Sequence, residues 1–297
     1  MRECALGYAL ISGGTVSLLP FIFRRQGSDL GRQLGLQITG HLFCGALALA
    51  AMPIHGFRTG GPAFLGISAL SALAIAFAAV SYYSVVTGRG PTSISWPVSW
   101  TNAVLVAGGG WLLLGEKVRA LQPVAFAAFL ACLLCMGLAT HRRYCRVGDP
   151  DCETRSGFWL WLAASTLAFA AGNLLMKVAS RQADPGEPLS YLAMRCAVTA
   201  GAVALYCRAT GIRPACDGRT LPWALAFAGA FLPAVFSTYA GMASCGASTF
   251  FPAAAGAAIF FGLLWSLVLG GRPPKLAWLG AALAALAIWL LHASGPD

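Results

Sequence analysis

Ten carboxylates are the chain's stock of acids, bases and counter-ions: Glu3, Asp29, Glu116, Asp149, Asp151, Glu153, Asp184, Glu187, Asp217 and Asp297. None lies in the middle of an apolar run. Proton-coupled carriers and multidrug cation pumps commonly hold an intramembrane Asp or Glu as proton site and counter-ion. Its absence argues against organic cations as substrate and against a carboxylate proton relay. Glu116, at the end of the fourth run, comes nearest; it is expected to pair with Lys117 or Arg119, or to cap the turn that follows. The cations are more informative. Arg195 lies about six residues into the seventh run, where an unpaired guanidinium costs about 3 kcal/mol or more. It either snorkels, ties helix ends together, or clamps a carboxylate or phosphate with its planar fork. His41 has a roughly equivalent place in the second run, as a hydrogen-bonded packing residue or as the carrier of a coupling proton. Lys177 ends the sixth run and is expected to reach the headgroups.

Pro97 and Pro252 interrupt the fourth and ninth runs at corresponding places. Matched broken helices are the best sequence pointer to a carrier's binding site, because proline removes a donor and frees a carbonyl for ligand or water. They single out Trp96, Trp100 and Asn102 on one run, with Thr249 and Phe251 on the other. Trp96 and Trp100 are one helical turn apart; they either sandwich a flat substrate or anchor at the membrane interface. Tyr82, Tyr83, Asn173 and Tyr239 are polar groups that need partners in lipid and are candidate cavity liners. Cys132 and Cys135 form a CxxC without a second ligand pair, which favours packing over a metal. No phosphate loop, nucleophile elbow or HExxH helix occurs, and no cofactor or metal is expected. An enzyme acting on lipid or prenyl chains would have to use His141, Cys145, Asp149 and Cys152, the one candidate cluster.

These residues need apolar elements to hold them. Charged residues make up 10% of the 297, hydrophobics 58%, and the mean hydropathy is +0.71. A soluble chain carries about 25% charge. Runs long enough to span a bilayer are expected at about Ala5–Phe23, Leu34–Met52, Pro62–Val86, Thr92–Leu114, Leu121–Thr140, Gly157–Val178, Leu189–Cys207, Leu221–Met242, Ala247–Gly270 and Lys275–Ala293. The net charge of +10 lies in short loops, where it suits lipid headgroups rather than nucleic acid. The stretch Pro91–Leu121 returns 155 residues later, Ser93 falling on Ser248, Pro97 on Pro252 and Gly115 on Gly270. Arg25-Gln26 likewise returns as Arg181-Gln182. The chain therefore reads as residues 1–145 and 157–297, two five-span repeats joined by the polar connection 146–156. Five is odd, so the second repeat enters the membrane inverted. Thirteen cations fall on the side of that connection and six on the other, which places the termini outside. Cys145, Cys152, Cys207 and Cys216 lie on the same cation-rich side and suit two disulfides in an oxidising compartment, which argues the opposite orientation.

Two five-span halves, a proline-bearing fourth span and the exit Leu114-Gly115-Glu116-Lys117 with immediate re-entry resemble the drug/metabolite transporter superfamily, in its ten-span EamA-like branch. Trp111–Ala139, Asn173–Arg181 and Leu192–Cys196 carry the likeness, which covers the whole chain. The second half departs from it, with Gly271 in place of Glu116. The resemblance implies a bacterial inner-membrane carrier of small metabolites with cytoplasmic termini.

The expectation is an all-α integral membrane protein of ten transmembrane helices in two inverted repeats, not an enzyme. It would export or exchange a small neutral, zwitterionic or anionic metabolite such as an amino acid by alternating access. Its partners would be that small molecule and membrane lipids, with no nucleic acid. The alternative is the lipid-modifying enzyme.

Overall fold

The computed structural model of the chain describes residues 2–26, 29–55, 58–88, 98–145, 157–182, 186–269 and 271–294. These residues form eleven α-helices and no strand: α1 (Arg2–Val16), α2 (Leu19–Gln26), α3 (Leu30–His55), α4 (Pro62–Gly88), α5 (Asn102–Leu114), α6 (Gln122–Cys145), α7 (Phe158–Ser180), α8 (Pro188–Thr210), α9 (Leu221–Ser244), α10 (Ala247–Val268) and α11 (Lys275–Ala293). In lipid every backbone group must be satisfied within its own segment, so long apolar runs become helices. Nine segments among the described residues are long and apolar enough to cross a membrane, and α5 is a shorter apolar helix. The protein is thus a multi-pass membrane protein. The expected spans agree with these bounds to within a few residues, except that residues 92–97 of the fourth and Gly270 of the ninth lie outside the described residues.

The first span is broken, which the run of apolar residues did not signal. Pro20 has no amide to bond the carbonyl of Val16, so α1 ends there and α2 restarts at Leu19. Ser17 donates its hydroxyl to the Gly14 carbonyl at 2.6 Å and lines the break. Two other helices stop at a left-handed glycine. Gly115 at φ 66° closes α5 and Gly211 at φ 70° closes α8. Asp217 prepares the start of α9: it accepts the Thr220 hydroxyl at 2.8 Å and the Thr220 amide at 2.9 Å. Those bonds hold its carboxyl below the usual carboxylate range, with Arg32 adding a smaller push.

Helices of residues 2–145 pack chiefly on helices of residues 158–293. α4 lies along α7 and α8, α1 along α9 and α10, α3 along α8 and α9, α5 along α7 and α10, and α6 along α11. One main core, including Phe64, Phe129, Tyr191, Phe227 and Phe250, fills the space between them. Large apolar side chains such as Leu42, Ile54, Leu112 and Leu160 face outward, as the lipid-facing surface of a bundle requires. Close approach depends on small residues. Gly172 of α7 sits on Ser71 and Ile75 of α4, and Gly13 of α1 sits on the backbone of Ala254 and Ala258 in α10. Gly109 and Gly110 are contact points too, against Leu174 and against Glu116; α5 runs straight through them, so they are close approaches rather than a bend. Cys132 is buried against α11, beside Gly280, and among the described residues no metal-binding group of side chains occurs. Cys207 and Cys216 carry free thiols; Cys152 lies outside the described residues, as does the side chain of Cys145.

Candidate functional site

Where α3, α8 and α9 meet, the structure brings His41 and Arg195 onto one aromatic ring. His41 is the twelfth residue of α3 and Arg195 the eighth of α8. The Arg195 guanidinium lies 5.2 Å from the Phe231 ring centre, and the His41 ring meets the same phenyl edge-on at 4.7 Å. Phe227 stacks on Phe231 at 5.0 Å, one helical turn away on α9. The His41 Nδ1 faces the Gln37 carbonyl at 2.7 Å; a carbonyl only accepts, so the hydrogen is on Nδ1. In the neutral ring Nε2 is then a bare acceptor, and it has no partner. One turn further, Gln37 donates to the Tyr83 hydroxyl at 2.9 Å, and Tyr83 packs on Phe23. On the other flank the free thiols of Cys44 and Cys196 are hydrogen-bonded neighbours in the α3–α8 contact.

Arg195 is 8% exposed, and its Nε has no hydrogen-bond partner. No carboxylate pairs with it among the described residues, and Glu116 pairs with Arg181. Its cation–π contact is worth about 2 kcal/mol, whereas a charged arginine at membrane depth costs about 3 kcal/mol or more. An unsatisfied buried donor adds a further cost of about 1–3 kcal/mol. The local contacts therefore do not balance the burial. The side chain is buried on Phe231, and no hydrogen bond from it to a helix end occurs among the described residues.

A second polar cluster lies where α5, α7 and α9 end and α8 and α10 begin. The Glu116 carboxylate, 4% exposed, accepts the amides of Ala247 and Ser248 at 2.8 and 2.9 Å, so it caps the N-terminus of α10 from across the molecule. Arg181 pairs with it at 3.1 Å and also donates to the Leu114 carbonyl. Glu116 does not pair with Lys117 or Arg119, as expected from their nearness in sequence. Arg119 instead donates to the Ser294 carbonyl. Lys177 is buried rather than at the headgroups: its ammonium caps α9 through the carbonyls of Met242 and Cys245. Thr249 accepts from Gln122 at 2.9 Å. Tyr239 donates to the Gly186 carbonyl at 3.0 Å and stacks on Tyr191. Ser190 reaches the Arg58 carbonyl at the same end. Most of these ties join residues below 145 to residues above 157, so the cluster is a latch between the two parts of the chain.

The other expected site residues are dispersed. Trp96 and Pro97 lie outside the described residues. Trp100 packs against the main core from the turn that leads into α5. Asn102 bonds the Ser99 carbonyl at 2.5 Å and holds the start of α5. Tyr82 packs with Val85, Phe158 and Leu162, away from His41. Asn173 lies on α7 and is half-buried. Pro252 is buried within α10 and leaves the Ser248 carbonyl without its helical amide, next to the Glu116 cap. The enzyme cluster cannot be assembled from the described residues, since Asp149 and Cys152 fall outside them. Phe227 and Phe231 were missed as site residues. Their four-residue spacing was the available signal, but seventeen phenylalanines give many such pairs.

No family model matches the chain, and no curated protein does. A crystal structure of a protein superposes on it with a TM-score of 0.79, covering 98% of each chain at 16% identity. At that identity the likeness establishes the fold alone.

Proposed function

We propose that this protein is a secondary carrier of ten spans in two inverted five-helix repeats, as in the EamA-like branch of the drug/metabolite transporters. It exports or exchanges a small neutral, zwitterionic or anionic metabolite, such as an amino acid, across a bacterial inner membrane by alternating access. The observation that carries the reading is the pattern of helix pairing. Exchange the two halves, so that α1 becomes α7, α3 becomes α8, α4 becomes α9, α5 becomes α10 and α6 becomes α11. The pairing of α4 with α7 then becomes that of α9 with α1, α4 with α8 becomes α9 with α3, and α1 with α10 becomes α7 with α5. The pairs α3–α8, α5–α10 and α6–α11 map onto themselves. Of the extensive contacts only α10 with α11 lacks a mirror of comparable extent. A pseudo-two-fold of this kind gives two related arrangements of the same contacts, which is what a rocking carrier requires.

Polar groups buried between α3 and α8, a pair that maps onto itself, support transport over a scaffold, which has no need of them. The test is counterflow into liposomes bearing the purified protein, with labelled amino acids, hydroxy acids, sugars and nucleotides inside and out. Saturable exchange of at least one compound is expected. Chemically altered lipid without flux would establish the lipid-modifying enzyme instead.

A further inference from the structure

The pairing pattern says nothing of what is carried, but the groups beside Phe231 do. We infer that His41 and Arg195 together form a binding site for a monocarboxylate with a hydrogen-bond donor on the adjacent carbon, a 2-hydroxy or 2-amino acid, whose apolar tail lies against Phe227 and Phe231. The inference deepens the transport reading and rests on it for access to a buried site.

Three features define the ligand. Arg195 brings a fork of donors with no carboxylate of the protein beside it and with Nε unbonded, so it selects a planar oxyanion. A single guanidinium balances one charge; a phosphate dianion would leave a second without a cation from the described residues. His41 adds the opposite requirement. Its Nδ1 hydrogen is committed to Gln37, so the neutral ring presents an acceptor at Nε2, and an acceptor calls for a donor on the ligand. Phe227 and Phe231, stacked on each other and buried, are the apolar groups that the tail meets once alternating access opens the site. Carboxylate, donor and apolar tail are the three substituents of a 2-hydroxy or 2-amino acid.

The experiment is equilibrium binding to the full chain in lipid nanodiscs, where no flux is needed. The probes share a phenyl tail: 3-phenyllactate, phenylalanine, 3-phenylpropionate, phenylalaninamide and phenethylamine. The first two distinguish hydroxyl from ammonium as donor; either or both are expected to bind. Loss of the donor in 3-phenylpropionate is expected to weaken binding about tenfold, and the amide and amine are expected not to bind. Arg195→Gln should weaken carboxylate binding roughly 30-fold. Arg195→Lys should bind less tightly yet keep the preference for carboxylate, and serves where the glutamine variant does not fold. His41→Phe keeps a ring on Phe231 but removes the acceptor, so phenyllactate and phenylpropionate should then bind alike; a merely structural histidine would leave their ratio unchanged. Equal binding of the amide or amine, or an unchanged ratio in His41→Phe, would overturn the site. Selective binding without counterflow would overturn transport and leave the site standing. Counterflow of compounds without a carboxylate would do the reverse.

Discussion

Glu116→Ala is expected to destabilise the protein by about 3 kcal/mol, more than any other substitution of a charged residue outside the Arg195 site. The carboxylate bonds two amides that begin α10, and it does so from just beyond α5 across a sequence separation of more than 130 residues. Without it the first turn of α10 loses its acceptors, and Pro252 already deprives that turn of one internal bond. The ion pair contributes less, because Arg181 is 43% exposed and its charge is screened. Arg181→Ala should therefore cost under about 1 kcal/mol, and Lys117→Ala, on the exposed neighbour, close to nothing. Glu116→Gln keeps one acceptor oxygen and should fall between. Thermal unfolding in detergent micelles ranks the four variants. An order in which Arg181→Ala is worse than Glu116→Ala would show that the ion pair, not the helix cap, is what Glu116 is for.

Gly13→Leu is expected to prevent assembly of the bundle. A Cβ at Gly13 would lie 2.4 Å from the Ala254 carbonyl oxygen, 2.6 Å from the Ala257 Cβ and 2.7 Å from the Ala258 amide. None of these atoms is the end of a flexible side chain, so only separation of α1 from α10 can relieve the clash. Gly13→Ala should already cost about 1–3 kcal/mol through overpacking, which outweighs the gain of about 1 kcal/mol from helix propensity. Gly7 is the control: on the same helix, it has nothing within 4 Å of its would-be Cβ. Gly7→Ala should be neutral or slightly stabilising. Size-exclusion profiles and thermal unfolding of the three variants separate these outcomes; a Gly13→Leu protein that elutes and melts like the parent would mean that α1 does not meet α10 as described.

The spans were legible because in a membrane hydrophobic length and helix length are the same constraint. Nine of the expected runs fall within a few residues of the observed helices. The break in the first span was written in Pro20, yet an apolar run conceals it because the residues on both sides remain lipid-compatible. His41 and Arg195 were legible as costly residues at depth, since burial of a polar group is anomalous in any apolar run. Their partner Phe231 was not, because a phenylalanine in such a run is ordinary until a cation is set upon it. Sequence nearness points Glu116 to Lys117, Arg119 or the following turn, and Lys177 to the headgroups. Local pairing is what sequence distance suggests, whereas Glu116 caps a helix of the other half and Lys177 caps the distant end of α9. Long-range caps of this kind leave no local trace.

In the proposed transport cycle the two halves rock about one another, and the latch around Glu116 opens as they do. A reversible covalent tie across that latch tests it most directly. With the ten native cysteines replaced, Arg58→Cys and Ser190→Cys would join the halves where Ser190 now reaches the Arg58 carbonyl at 2.5 Å. Counterflow in liposomes should stop when the pair is oxidised and return when it is reduced. Flux that continues at full rate through the oxidised protein would contradict alternating access by these two halves.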